Sequence, residues 1–350
     1  MDQSEFDRAR ELTLQYGWNT TCYQILNPGM QLWFAEAGDA VIGFVTHAGV
    51  RVVAGAPVTP HERFVPVALE FEADARRARE KVCWFAAEEW FESLWQQHSR
   101  RAKVILGAQP VWDPQSWAER LKDNAGLRAQ LNRARNKDVT VAEWDTDRAA
   151  REPELRTILE QWLASRGLPP MHFLVEPETL DRLGDRRVFV AQSPGGLHGF
   201  LVACPVPARS GWLAELVVRR PVAPNGTAEL LIHSAALTLA QGGARYFTLG
   251  LSPLARMHGA NPNPLWLRAM LAWMRAHGRR FYHFQGLEFF KSKFDPPDWK
   301  PVYALLPGPR VSVVSLYAIA AAFAGGPPLS MLARAVGGAV LREARGLVRS

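Results

Sequence analysis

Short apolar runs punctuated by turn residues open the chain. Met30–Ala35 and Ala40–Thr46 flank Gly38-Asp39, the layout of a β-hairpin, and Val50–Ala54 forms a third run ahead of Gly55-Ala56-Pro57. A charge-rich helix is expected over Glu70–Lys81, then an apolar stretch over Val82–Trp90 and a further buried strand over Lys103–Leu106. Between Asp113 and Lys137 the period changes to that of a helix. Leu127, Leu131 and Ala134 share one face, with Arg128, Asn132 and Arg135 on the adjacent one. Arg133 and Lys137 point elsewhere, so this helix is basic on two sides. It reads either as a solvated face or as a contact for an RNA backbone.

A second set of elements begins near Arg151. Helix Glu154–Arg166 stops at Gly167, and strands Arg187–Gln192 and Gly199–Pro205 flank the turn Pro194-Gly195-Gly196. Strand Trp212–Val218, loop Arg219–Gly226, helix Thr227–Gln241 and strand Tyr246–Leu251 follow in the order of a βαβ-type unit. The expected architecture is two α/β blocks in series, residues 1–120 and 151–310, joined by a basic connector helix and linker over 121–150. A tail over 311–350 remains. Beyond Gly325-Gly326-Pro327-Pro328, the residues Leu329, Leu332, Val336, Val340 and Leu347 line one helical face, opposite Arg334, Arg342, Arg345 and Arg349. That is the layout of a helix lying in a membrane interface, with packing back on its own domain as the other reading.

Charge sharpens this picture. The net charge is +7, and both the tail, with four Arg against Glu343, and the segment Lys122–Lys137 hold more than their share. A polyanionic partner is implied, either nucleic acid or an acidic membrane. Cys22, Cys83 and Cys204 lie far apart, which gives neither a disulfide framework nor a zinc spacing and fits a reducing cytoplasm. The N-terminus is charged rather than signal-like, and the longest apolar run, Val311–Ala324, is too short to span a bilayer. A cytoplasmic protein, either soluble or peripheral on a membrane, is expected.

Three long motifs carry a family resemblance. Trp212–Ile232 combines a strand, the pair Arg219-Arg220, Ala223-Pro224-Asn225-Gly226 and a helix opening with Glu229-Leu230-Leu231-Ile232. Tyr246–Ala255 is a strand and turn around Leu249-Gly250-Leu251-Ser252-Pro253. Phe281–Phe294, followed by Trp299 and Tyr303, is an aromatic run ending in Lys291 and Lys293. In this order they resemble the catalytic part of the lysylphosphatidylglycerol synthases, with weaker similarity at Val52–Pro57 and Ile105–Lys137, so that residues 10–307 are covered. The resemblance implies tandem GNAT-like acyltransferase domains of α/β class. It also implies aminoacyl-tRNA as co-substrate, without another cofactor, and the hydroxyl of an anionic membrane phospholipid as acceptor, with lysine or alanine transferred. Three features are read as departures from the family: a standalone domain without the multi-span region is expected, His283 stands where Asn is usual, and Leu168–Phe173 lacks an acidic residue. They leave the amino acid and the lipid open.

Exchanging one ester for another requires two aligned substrates, a group that accepts the hydroxyl proton and donors for the oxyanion. Arg219 and Arg220 leave a strand just before a helix N-terminus, where guanidinium forks and free N–H groups suit a phosphodiester. Pro221 and Pro224 leave that loop poor in N–H groups, which argues against coenzyme A. Glu215 and Glu229 are candidates to hold the amino acid's ammonium group or to act as base, with a helix-dipole role open for Glu229. Asn225, Gly226, Gly250, Ser252, Tyr282, Lys291 and Lys293 are candidate substrate contacts, and Arg128, Arg133 and Arg135 candidate tRNA contacts. His233, His258 and His283 rank below these as proton carriers. A non-lipid acceptor, and a non-catalytic RNA-binding module, are the competing functions.

Overall fold

The protein is described here by a computed structural model covering residues 2–166, 171–255, 263–277 and 284–327, without the side chains of 273–277 and 284–285. Helix α1 (Gln3–Tyr16) starts on a capping box between Asp2 and Glu5. Strands β1 (Gln31–Phe34), β2 (Val41–His47) and β3 (Val50–Ala54) form an antiparallel set. Helix α2 (Phe64–Arg77) then crosses to β4 (Lys81–Glu88), parallel to β3. Helix α3 (Glu89–Gln96) and the long strand β5 (Ala102–Trp112) follow, then α4 (Trp117–Asp123) and α5 (Ala125–Arg135). The second half repeats the plan. After β6 (Thr140–Trp144), α6 (Thr146–Arg151) and α7 (Pro153–Ala164) come β7 (Arg187–Ser193), β8 (Gly196–Val206) and β9 (Gly211–Arg219), antiparallel in turn. Helix α8 (Thr227–Gln241) crosses to β10 (Tyr246–Thr248), parallel to β9. The chain ends its described part with β11 (Ser252–Pro253), α9 (Leu265–His277), α10 (Phe284–Ser292), β12 (Asp298–Leu306) and α11 (Val313–Ala324).

All the described strands join one mixed sheet, ordered β1-β2-β3-β4-β12-β5-β10-β9-β8-β7-β6, with β11 on β5. The α/β class expected from the sequence is therefore the class found. The halves, however, are interleaved rather than laid end to end: β12, from the second, pairs antiparallel with β4 and β5 of the first. On one sheet face α2 packs through Phe64, Val67, Ala68, Phe71 and Ala75, the one-sided spacing of an amphipathic helix. The other face carries α1, α9 and α11. Arg51 lies within fully buried β3 and is neutralised by Asp74 at 2.7 Å and Glu80 at 2.6 Å.

Several expected boundaries shift for identifiable reasons. The helix expected at Glu70–Lys81 begins at Phe64 because its apolar stripe does, and it has ended before Arg79, where φ is +59°. The run Val82–Trp90 changes from strand to helix at Glu89, as Phe91 and Trp95 take helical spacing on the core. The connector is two helices, not one, since the Asn124 side chain accepts the Leu127 N–H at 2.8 Å and starts a new helix. Leu127, Leu131 and Ala134 are buried as the periodicity predicts. The tail beyond 327 lies outside the described residues.

Candidate functional site

The strand expected over Tyr246–Leu251 stops pairing early, and the site forms where it stops. β9 and β10 run parallel only through Gly211↔Tyr246, Trp212↔Phe247 and Leu213↔Thr248. β9 continues to Arg219 alongside β8, whereas the other chain turns away at Gly250, whose φ is +70°. Thr248 holds the turn: its hydroxyl donates to the Pro110 carbonyl at 2.7 Å and accepts the Gly250 N–H at 3.0 Å. Ser252 then pairs with Ala108 of β5. The result is a notch in the sheet between diverging parallel strands.

Lys291, reaching from α10, closes one side of that notch. Its ammonium donates to the carbonyls of Gly250 at 2.8 Å and Leu251 at 3.0 Å. The residue is 5% exposed, and burial pushes its pKa down to about 7. The Ser252 hydroxyl beside this turn is buried with no hydrogen-bond partner among the described residues. Gly250, Ser252 and Lys291, candidates from separate motifs, thus lie together, and Lys291 meets peptide carbonyls and is shielded from solvent.

Lys293, two residues on, behaves differently. It reaches Glu229 in the first turn of α8 at 2.8 Å, and this pair is partly open to solvent. The Asn124 amide donates to the Lys293 carbonyl at 2.8 Å, and the Trp117 and Phe294 rings lie 6.0 Å apart, so the α4–α5 junction touches this segment. Gly226, at the start of α8 with φ +91°, fits against α5 so closely that a Cβ there would lie 2.0 Å from the Gln130 carbonyl oxygen. Its role is close packing. Asn225 is exposed beside it.

Glu215 belongs to a separate buried cluster. Its carboxylate receives two bonds from Arg186, at 2.8 and 3.3 Å, and one from Gln24 at 3.5 Å. Arg186 also donates to the Asn27 side chain and the Arg182 carbonyl, both at 2.9 Å, and lies over the Tyr23 ring. Arg186, Gln24, Asn27 and Tyr23 do not stand out in the sequence. The one available signal is alternation, because of the doublet Arg186-Arg187 only one residue can point outward where strand β7 starts.

The double Arg divides in the same way. Arg219 is exposed and, among the described residues, makes only a 3.3 Å contact with the Arg220 carbonyl. Arg220 is spent on the fold: it donates to Leu197 O at 2.9 Å, Gln161 at 3.0 Å and Glu154 at 2.7 Å. Arg128 turns back onto the Leu121 and Lys122 carbonyls and caps α4, while Arg133 and Arg135 are exposed. His233 is buried and accepts the Trp117 indole N–H at 3.1 Å. Burial, reinforced by Arg135, pushes its pKa down to about 4, so it is a neutral structural group. Tyr282, His258 and His283 lie outside the described residues.

Residues 10–306 match the family model for the phosphatidylglycerol lysyltransferase C-terminal region. A phosphatidylglycerol lysyltransferase of Bacillus subtilis is 26% identical over 275 residues, which cover 78% of this chain and 32% of that protein. One from Staphylococcus haemolyticus is 20% identical over 85% of this chain and 35% of its own length. The chain therefore spans about a third of the length of these relatives. Two solved structures share the fold. A C-terminal domain assigned to a lysylphosphatidylglycerol synthetase of Agrobacterium fabrum superposes with a TM-score of 0.78 at 21% identity, covering 92% of this chain and 98% of that one. L-PGS from Bacillus licheniformis gives 0.75 at 21%, covering 90% and 94%.

Proposed function

We propose, since this chain belongs to the phosphatidylglycerol lysyltransferase C-terminal family, that it transfers an amino acid, lysine or alanine, from aminoacyl-tRNA to the hydroxyl of an anionic membrane lipid such as phosphatidylglycerol. The observation that supports a reacting centre at the β9–β10 notch is Lys291, a buried amine without a carboxylate partner among the described residues, beside the unpartnered Ser252 hydroxyl. In the reaction the lipid hydroxyl oxygen attacks the aminoacyl ester carbonyl. The new C–O bond forms, the bond to the terminal ribose oxygen breaks, and that oxygen leaves with a proton. An amine with a pKa near 7 is able to accept the hydroxyl proton and return it to the ribose oxygen. With its proton on, it stabilises negative charge in the tetrahedral intermediate.

The basic residues outside the notch fit the RNA arm of this reading. Exposed Arg133 and Arg135 on α5 and exposed Arg219 at the end of β9 are available for phosphates, and the α4–α5 junction is tied to Lys293. Glu229, held by Lys293, offers a carboxylate for the ammonium group of the transferred amino acid. The test is incubation of the purified chain with phosphatidylglycerol vesicles and radiolabelled Lys-tRNA or Ala-tRNA. Label in the lipid extract supports the proposal. Label that stays on RNA with either tRNA and any lipid refutes it, and tRNA binding without transfer would establish the RNA-binding module instead.

A further inference from the structure

Large apolar side chains left exposed are not scattered over this protein. Of those among the described residues, Leu265, Trp266 and Met270 lie on α9, Val313, Val314 and Tyr317 on α11, and Val175 on the short turn Phe173–Val175 packed against α11. Only Leu69, Val222 and Phe289 lie elsewhere. The inner sides of α9 and α11 enter one core: Leu267 is buried with Ala318 and Ala322, and Phe323 packs on Phe85 at 5.2 Å and Phe173 at 5.4 Å. Both helices therefore cover the same face of the sheet and turn apolar stripes outward. Leu265 is 78% and Val313 74% exposed, and Trp266 is half exposed.

We infer that this face, built by α9, α11 and the Phe173–Val175 turn, is the surface by which the folded domain seats in an anionic lipid bilayer. Charge selects that occupant. Neither α9 nor α11 contains an Asp or Glu, whereas Arg268 and Arg310 are exposed at the patch, and the sequence beyond α11 adds Arg334, Arg342, Arg345 and Arg349. A helix that is apolar all round, as α11 is, normally lies buried on every side. Here one side is buried and the other is not, and among the described residues no helix is long and apolar enough to cross a membrane. Trp266 and Tyr317 are the residue types that favour the headgroup boundary, with Leu, Val and Met entering the acyl region. Small residues explain the seating of α11: Ser315, Ala318, Ala321 and Ala322 let it sit low on β2 and β3 with Val313 and Tyr317 pointing away. The family match ends at 306, so α11 adds to the shared domain an apolar layer on the face already occupied by α9.

The experiment is co-sedimentation of the full chain, without tRNA, on vesicles of equal parts phosphatidylglycerol and phosphatidylcholine. It reads binding alone, so its outcome is separate from that of the transfer assay. The double variant Val313→Asp with Tyr317→Asp, and Trp266→Asp on its own, should each lower partitioning at least tenfold with unchanged circular dichroism. Leu69→Asp on α2, on the opposite sheet face, should bind like wild type, and vesicles of phosphatidylcholine alone should bind less. If one α11 or α9 variant misfolds, the other carries the test. Wild-type partitioning of a folded variant overturns the inference, as does an equal loss in Leu69→Asp. Two further results also overturn it: binding lost only when the four tail arginines become Gln, or a wild-type dimer that these variants dissociate without changing vesicle binding.

Discussion

Lys291 offers the sharpest test because its protonation is tied to stability as well as to the proposed chemistry. Burial holds its pKa at about 7, against an ordinary value of 10.5. Between those values the unfolded chain binds a proton that the folded chain does not, so stability rises with pH through that window. The cost of burying the ammonium is largest below pH 7, where both states carry the proton. Each pH unit inside the window is worth up to about 1.4 kcal/mol. From about pH 6 to pH 9 the wild type should therefore gain about 2–3 kcal/mol relative to a chain lacking this group. Lys291→Met supplies that chain. It leaves the Gly250 and Leu251 carbonyls unpaired, a loss of about 1–3 kcal/mol that does not vary with pH. Denaturant titrations of both proteins across this range should show their stability difference moving in favour of the wild type as pH rises. Transfer activity should rise through pH 7 in the wild type and be lost in Lys291→Met. Parallel stability curves across the range would mean that Lys291 titrates like an ordinary lysine and would refute the reasoning.

Other substitutions separate binding from folding. Arg219→Ala should melt like wild type yet lower transfer about tenfold, the loss of one charge-assisted phosphate contact, whereas Arg220→Ala should cost about 1–2 kcal/mol of stability by releasing Glu154 and Gln161. Glu215→Gln leaves the buried Arg186 guanidinium without its counter-charge and should cost about 3–5 kcal/mol in denaturant titration. The double change Arg186→Met with Glu215→Met should recover much of that. Gly226→Ala meets both a positive φ and the Gln130 carbonyl, so a loss of about 2–4 kcal/mol is expected by the same method, and a neutral result would exclude the close α5–α8 approach.

What can be read from sequence here depends on whether the deciding contact is local. Val50–Ala54 and Thr227–Gln241 are found at their expected limits because their boundaries are set by adjacent glycines and by their own periodicity. The motif regions also lead to one part of the fold, since Gly250, Ser252 and Lys291 do meet. β12 stays hidden: Pro301 interrupts it, and it is a strand only because β4 and β5, distant in sequence, offer edges on both sides. The bend after Thr248 is equally invisible, as Leu249-Gly250-Leu251 continues the apolar run while the backbone turns at Gly250. Paired residues are the hardest case. Arg219 and Arg220, or Lys291 and Lys293, are alike as letters and opposite in surroundings, because which one turns inward is decided by β8, α7 and α8.

The interleaved sheet also explains why the notch between β9 and β10, proposed above as the reacting centre, draws on residues from the whole chain. Its floor is β5 from the first half, which holds β10, β11 and β12 and supplies the Pro110 carbonyl that anchors Thr248. Behind it lies a buried polar junction: Glu88 accepts the Thr20 N–H at 2.6 Å and pairs with Arg209 at 2.7 Å, and the Thr20 hydroxyl meets the Tyr246 hydroxyl at 2.8 Å. Arg209 is stacked over Trp18 at 3.5 Å, and the Gln109 amide donates to Thr20 at 3.2 Å. Such a network is stable only when every member is satisfied, and its members come from both halves. The first half, whose own parallel pair β3–β4 has Asn19 bonded to Ala86 O and Thr21 to Ala54 O at its end, thus serves as the fixed wall against which the second half opens its notch.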